Sequence, residues 1–104
     1  MSLSPLAAIS PVDGRYASRC TELRAIFSES GLIRARVRVE IAWLHALAGP
    51  GGLAELQNLA PADLGAAQAV AASFAEADAA AVKAIERETN HDVKAVEYFI
   101  KQKL

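Results

Sequence analysis

The stretch from Leu32 to Ala48, LIRARVRVEIAWLHALA, runs without a glycine or proline and decides what this chain can fold into. Ile33, Ala35, Val37, Val39 and Ile41 alternate with Arg34, Arg36, Arg38 and Glu40, a period of two that suits a strand. Length argues the other way, because an unbroken run of this size suits a helix. The second half adds Ile41, Leu44 and Ala48, with Trp43 and Leu47, at helical spacing. The spacing and length together predict a helix, with the arginines solvated and Trp43 in a core or an interface.

The remaining periodic stretches are helical as well. Leu23, Ile26 and Phe27 form an i, i+3, i+4 stripe on a short helix, which Ser30-Gly31 would stop. GPGG at 49–52 breaks the chain. A loop then leads to Pro61, whose missing N–H is not needed in a first helical turn. An Ala-rich helix is predicted over 62–72, since Ala has the best helix propensity. Ser73-Phe74-Ala75-Glu76 matches a capping box and predicts a fresh helix running to Arg87. Thr89 and Asp92 repeat that spacing ahead of a last helix. Its apolar face is Val93, Val96, Ile100 and Leu104, with Phe99 beside it, and the stripe is still running at Leu104. Residues 1–17 read instead as an irregular arm, punctuated by Pro5, Pro11 and Gly14. The fold expected is all-α: a small helical domain over 1–104 with an irregular N-terminal arm, the front of something longer.

Bulk properties narrow the function. A chain of 104 residues is one domain at most. Its net charge of -1 offers no global basic field for nucleic acid or anionic lipid, so neither is an expected partner. Ala supplies much of the 53% hydrophobic fraction, and a domain of this size buries its own surface only moderately. An open apolar face, with self-association or marginal stability, follows. Cys20 is the only cysteine, so no internal disulfide is possible and a reducing compartment fits. No apolar run approaches a membrane span, and a cytoplasmic location is expected. There is no P-loop, no glycine-rich dinucleotide fingerprint and no CxxC pair. His91 beside Asp92 makes no metal site, because adjacent helical residues do not face each other. His45 and Cys20 read as packed or surface residues. Neither a metal nor a cofactor is expected.

Two polar motifs stand out. In SPVDGRY, residues 10–16, Asp13-Gly14 is a turn signal, with Gly free to take positive φ. Arg15 and Tyr16 follow, a charged planar fork beside a phenol, which can hold a phosphate or carboxylate or simply face water. TNHD, residues 89–92, clusters Asn90, His91 and Asp92 at a predicted helix start, where free N–H groups and the dipole favour anions. It also reads as an ordinary cap, with Asn90 or Thr89 closing the helix.

SPVDGRY, then IFSESGLIRARVRVEIAWL, then IERETNHDVKAVEYFI, in that order, strongly resemble the N-terminal domain of bacterial adenylosuccinate lyase, in the fumarase/aspartase superfamily. The resemblance covers nearly the whole chain, is weakest over 49–72, and implies that 32–48 is helix. It also implies a lyase of purine and AMP biosynthesis, eliminating fumarate from adenylosuccinate and from succinylaminoimidazole carboxamide ribotide. A base would remove a proton β to the leaving nitrogen while an acid protonates that nitrogen. The resemblance implies that Arg15 and Tyr16 contact the nucleotide phosphate and that Asn90, His91 and Asp92 line the substrate site. It implies a homotetramer whose sites draw on three subunits. The family's general-acid histidine, its loop with the catalytic serine and its central helical bundle fall outside these residues, so no catalytic residue is assigned within them. A second reading, from another class, is a free-standing helical interaction module.

Overall fold

Proline, glycine and short polar links divide the chain into helical segments. The computed structural model describes residues 4–104, so the first three residues of the predicted arm lie outside the described residues. The helices are α1 (Arg24–Phe27), α2 (Glu29–Ala48), α3 (Pro61–Ala72), α4 (Glu76–Thr89) and α5 (Asp92–Lys103). Short 3-10 turns lie at Ala17–Arg19, Thr21–Leu23 and Ala54–Leu56, and there is no strand among the described residues. The domain is all-α, and residues 32–48 are helix despite their two-residue alternation.

That helix begins earlier than predicted. The Ser28 hydroxyl accepts from the Gly31 N–H at 3.0 Å and caps α2, so Ser30-Gly31 opens this helix rather than stopping α1. Packing demands the glycine. A Cβ on Gly31 would stand 2.5 Å from the Ala25 carbonyl oxygen and 2.7 Å from that of Ile26. The backbone of α1 therefore folds directly against the first turn of α2.

From there α2 serves as the hub, with α3, α4 and α5 all packed on it. Ile33, Val37 and Ile41, four residues apart, form its buried stripe. They share one core with Ala67 and Ala71 of α3, Ala79 and Val82 of α4, and Ala95, Val96 and Phe99 of α5. The alanines let helices approach closely but each contributes little apolar area. Phe99 is the largest fully buried side chain. Phe74, in the link before α4, meets it edge to face, with centroids 5.7 Å apart and planes at 80°. Lys83 ties α4 to α2 through Glu29 at 3.5 Å and pairs with Glu86 at 3.1 Å. The Glu86 hydrogen bond, more than any other contact, raises the Lys83 ammonium above its ordinary pKa.

Three local expectations are corrected. Ser73 does not cap α4: its hydroxyl donates back to the Ala69 carbonyl at 2.8 Å, closing α3. The α4 start is half a capping box, in which Asp78 accepts from the Ala75 N–H at 2.9 Å and alanine returns nothing. On α5 the buried residues are Ala95, Val96 and Phe99, with Ile100 half-buried, while Val93 and Leu104 are exposed. The stripe is turned so that Phe99 enters the core shared with α2, α3 and α4. Trp43 is 60% exposed and Val39 is 66% exposed, both outside the core of α2, so Trp43 is not a core residue.

The arm stands apart from the bundle. Its turn at 17–19 packs on the turn at 21–23, that turn on α1, and α1 on α2. The described residues extend 57 × 29 × 19 Å. None of their helices is long and apolar enough to cross a membrane.

Candidate functional site

On the arm, Asp13 organises the backbone that presents Arg15. Its carboxylate accepts from the Ser10 N–H at 2.8 Å, the Ile9 N–H at 3.3 Å and the Ser10 hydroxyl at 3.2 Å. The Ser10 N–H is the main reason its carboxyl is held below the usual range. Gly14 is required for a different reason than the turn signal suggests, since its φ is not positive. A Cβ there would lie 3.0 Å from the Pro5 carbonyl oxygen and 3.1 Å from the Ala8 Cβ. The Tyr16 N–H donates to the Pro11 carbonyl at 2.9 Å and completes the loop.

Arg15 and Tyr16 then act as one unit. Arg15 Nη2 donates to the Tyr16 hydroxyl at 2.7 Å, and the guanidinium carbon lies 4.6 Å from the ring centroid. Both side chains are exposed, and Arg15 edges an open groove of about 520 Å³ with Ser10 and Pro11. Among the described residues only the Tyr16 hydroxyl takes a hydrogen bond from this guanidinium, which has further donors for an anion.

The second candidate cluster is the junction of α4 and α5. Asn90 takes the left-handed conformation, φ 53 and ψ 33, and its N–H donates to the Glu86 carbonyl at 2.8 Å, ending α4. His91 is the N-cap of α5: its Nδ1 accepts from the Lys94 N–H at 3.1 Å. A neutral ring with an accepting Nδ1 carries its proton on Nε2. Thr89 and Asp92 thus do not form the predicted capping pair. The Thr89 hydroxyl instead brackets His91, accepting from its N–H at 3.3 Å and donating to its carbonyl at 3.1 Å. Histidine takes over the cap because Asn90 has already turned the chain.

Asp92 uses both carboxylate oxygens. Oδ1 accepts from the Val93 N–H at 2.8 Å, and Oδ2 pairs with Arg36 Nη1 of α2 at 2.9 Å. The Val93 N–H first, and then Arg36, hold its carboxyl below the ordinary range. Beside this pair lies an apolar cleft of about 290 Å³ lined by Ala35, Val39, Val93 and Val96.

The structure brings Asn90, His91 and Asp92 together, and Arg15 with Tyr16. It does not join the two sets: among the described residues no hydrogen bond, ion pair or pocket spans them. Arg36 is the residue that sequence reasoning missed. Two residues along a helix are a turn of about 200°, so Arg36 points away from Arg34 and Arg38, which lie within about 40° of each other. Arg34 donates to the Ala25 carbonyl at 2.8 Å, Arg36 reaches Asp92, and Arg38 edges a groove with Gln68 and Ala72. Only the helical period, applied to the arginines as it was to the core, separates them.

No family model matches the chain. Individual proteins do, along its full length. It is 54% identical to the adenylosuccinate lyase of Escherichia coli K12, 54% to that of Vibrio cholerae and 52% to that of Haemophilus influenzae. The chain is thus similar throughout to adenylosuccinate lyases, as its motifs indicate. It spans 23% of the length of each of these relatives.

Proposed function

We propose that this chain is the N-terminal, substrate-contacting part of an adenylosuccinate lyase, which releases fumarate from adenylosuccinate to leave AMP. Similarity along the whole of this chain to proteins of that name carries the reading. In this reading Arg15 and Tyr16 bind the nucleotide phosphate, the guanidinium through charge-assisted hydrogen bonds. Asn90, His91 and Asp92 line the substrate site. His91 offers an outward N–H at Nε2, and the mouth of the helix α5 favours negative charge.

The two clusters lie apart in one chain, which fits sites completed by other subunits of a homotetramer in the cytoplasm. The chain alone supplies binding groups and is inactive, because elimination needs an acid and a base held within hydrogen-bond reach of the substrate. The test is a chimera in which these 104 residues replace the matching part of the Escherichia coli relative. Loss of adenylosuccinate absorbance should appear with the chimera and be absent with the chain alone. A correctly folded, assembled chimera that turns over no adenylosuccinate would overturn the reading.

A further inference from the structure

We infer that Arg36 is a positioning residue for His91, acting through Asp92 to keep the imidazole proton on Nε2. The functional value of this arrangement rests on the substrate role proposed for the α4–α5 junction.

His91 Nδ1 has two competing uses. It can accept from the Lys94 N–H, as it does here, or it can carry the proton and donate to a carboxylate. The competing carboxylate is close, with Asp92 Oδ1 4.0 Å from Nδ1. Asp92 is held off because both its oxygens are engaged, one by the Val93 N–H and the other by Arg36. Without Arg36, Oδ2 loses its partner and the carboxylate is free to rotate toward the ring. A charge-assisted bond then rewards the proton on Nδ1. The Lys94 cap is lost, and the nitrogen presented outward changes from donor to acceptor.

Arg36 suits this task by place and by type. It arises from α2, the hub of the fold, so it references the junction to the core and not to its own helix. Its side chain is 30% exposed against 49% for Asp92, making it the more fixed partner. A guanidinium presents a planar fork, where lysine would offer a mobile point charge. Neither neighbouring arginine substitutes, since Arg34 is tied to Ala25 and Arg38 lies on another flank. Half-exposed ion pairs add little to stability. The consequence here is where one proton resides.

Long-range proton–nitrogen correlation spectra of the 15N-labelled 104-residue chain read this proton directly. In the wild type, His91 should show the Nε2–H form. Arg36→Met should shift His91 toward the Nδ1–H form while helical circular dichroism and the His45 signals stay in place. His45 lies elsewhere, with Nε2 3.2 Å from the Leu64 carbonyl, and serves as the internal reference. Arg36→Lys should restore part of the wild-type population, and Arg38→Met should change nothing. An unchanged His91 tautomer in Arg36→Met, or an equal change in Arg38→Met, would overturn the inference. In the chimera, Arg36→Met should lower kcat more than it raises KM. A tautomer shift in the chain with unaltered chimera kinetics would support the positioning and reject the substrate role of the junction.

Discussion

The Arg15 guanidinium lies over the ring of the residue that follows it, 4.6 Å from the Tyr16 centroid, while donating to the Tyr16 hydroxyl at 2.7 Å. A side chain with many rotamers is thereby held in one orientation before any ligand arrives. Ordering a long side chain on binding costs about 0.5–1.5 kcal/mol, and part of that cost is met in advance. The tyrosine thus has two roles in the proposed site: it offers a hydroxyl and it holds the arginine.

These roles separate by substitution in the chimera. Arg15→Ala should cost roughly 1.5–3 kcal/mol in substrate use, the range for a hydrogen bond to a charged group, or about ten- to a hundredfold. Tyr16→Phe keeps the ring under the guanidinium and removes only the hydroxyl, so its cost should be nearer 0.5–1.5 kcal/mol. Steady-state kinetics with the phosphorylated substrate and a dephosphorylated analogue check the assignment. Equal Arg15→Ala defects on both would return SPVDGRY to a surface turn.

Asn90 combines a conformational duty with a proposed contact, and glycine divides them. Its φ of 53 suits glycine and strains alanine. Asn90→Ala should destabilise the chain by about 1–2 kcal/mol, whereas Asn90→Gly should change stability little. Urea unfolding measures both. If the amide touches substrate, the glycine variant should nevertheless lose activity in the chimera.

Two helical glycines should respond oppositely to alanine. Gly31→Ala forces a methyl against the carbonyls of Ala25 and Ile26. It should cost about 1–3 kcal/mol, as overpacking does, despite the better propensity of alanine. Gly65, inside α3, has nothing within 4 Å of its would-be Cβ. Gly65→Ala should therefore stabilise by about 0.5–1 kcal/mol. Denaturant midpoints at fixed m-values distinguish these outcomes.

The sequence carries the helices well and their junctions poorly, for a physical reason. Length and spacing suffice for the α2 stripe Ile33, Val37 and Ile41, because burial recurs with the helical period. Caps depend on which of several neighbouring polar side chains reaches a backbone group, and that is settled by the turn between helices. Ser28, Asp78 and His91 do the capping where Gly31, Ser73 and Thr89 carried the local signal. Phe99 and Ile100 are adjacent apolar residues, and only the neighbouring helices decide which one enters the core. The candidate residues Arg15, Tyr16, Asn90, His91 and Asp92 were visible as motifs. Arg36 was not, because its partner lies on another helix and no local pattern announces a tertiary ion pair.

Acid should loosen the first turn of α5 as Asp92 protonates. Asp92 has a depressed pKa in the folded chain, so its contacts stabilise the fold above the ordinary carboxylate value, about 3.9, and that contribution is lost as pH falls through the lower folded value. The Val93 N–H donates directly to this carboxylate, so its amide proton shift reports Asp92 directly. Asp13 is depressed too, but it sits on the arm and its protonation should leave the Val93 signal unmoved. The Val93 shift should titrate with a midpoint below the ordinary value in the wild type and lose that transition in Asp92→Asn. Arg36→Met should raise the midpoint only part of the way, because the Val93 N–H is the larger cause and survives the substitution. A midpoint in Arg36→Met equal to the wild type, with the His91 tautomer also unchanged, would mean that the 2.9 Å ion pair does not persist in solution.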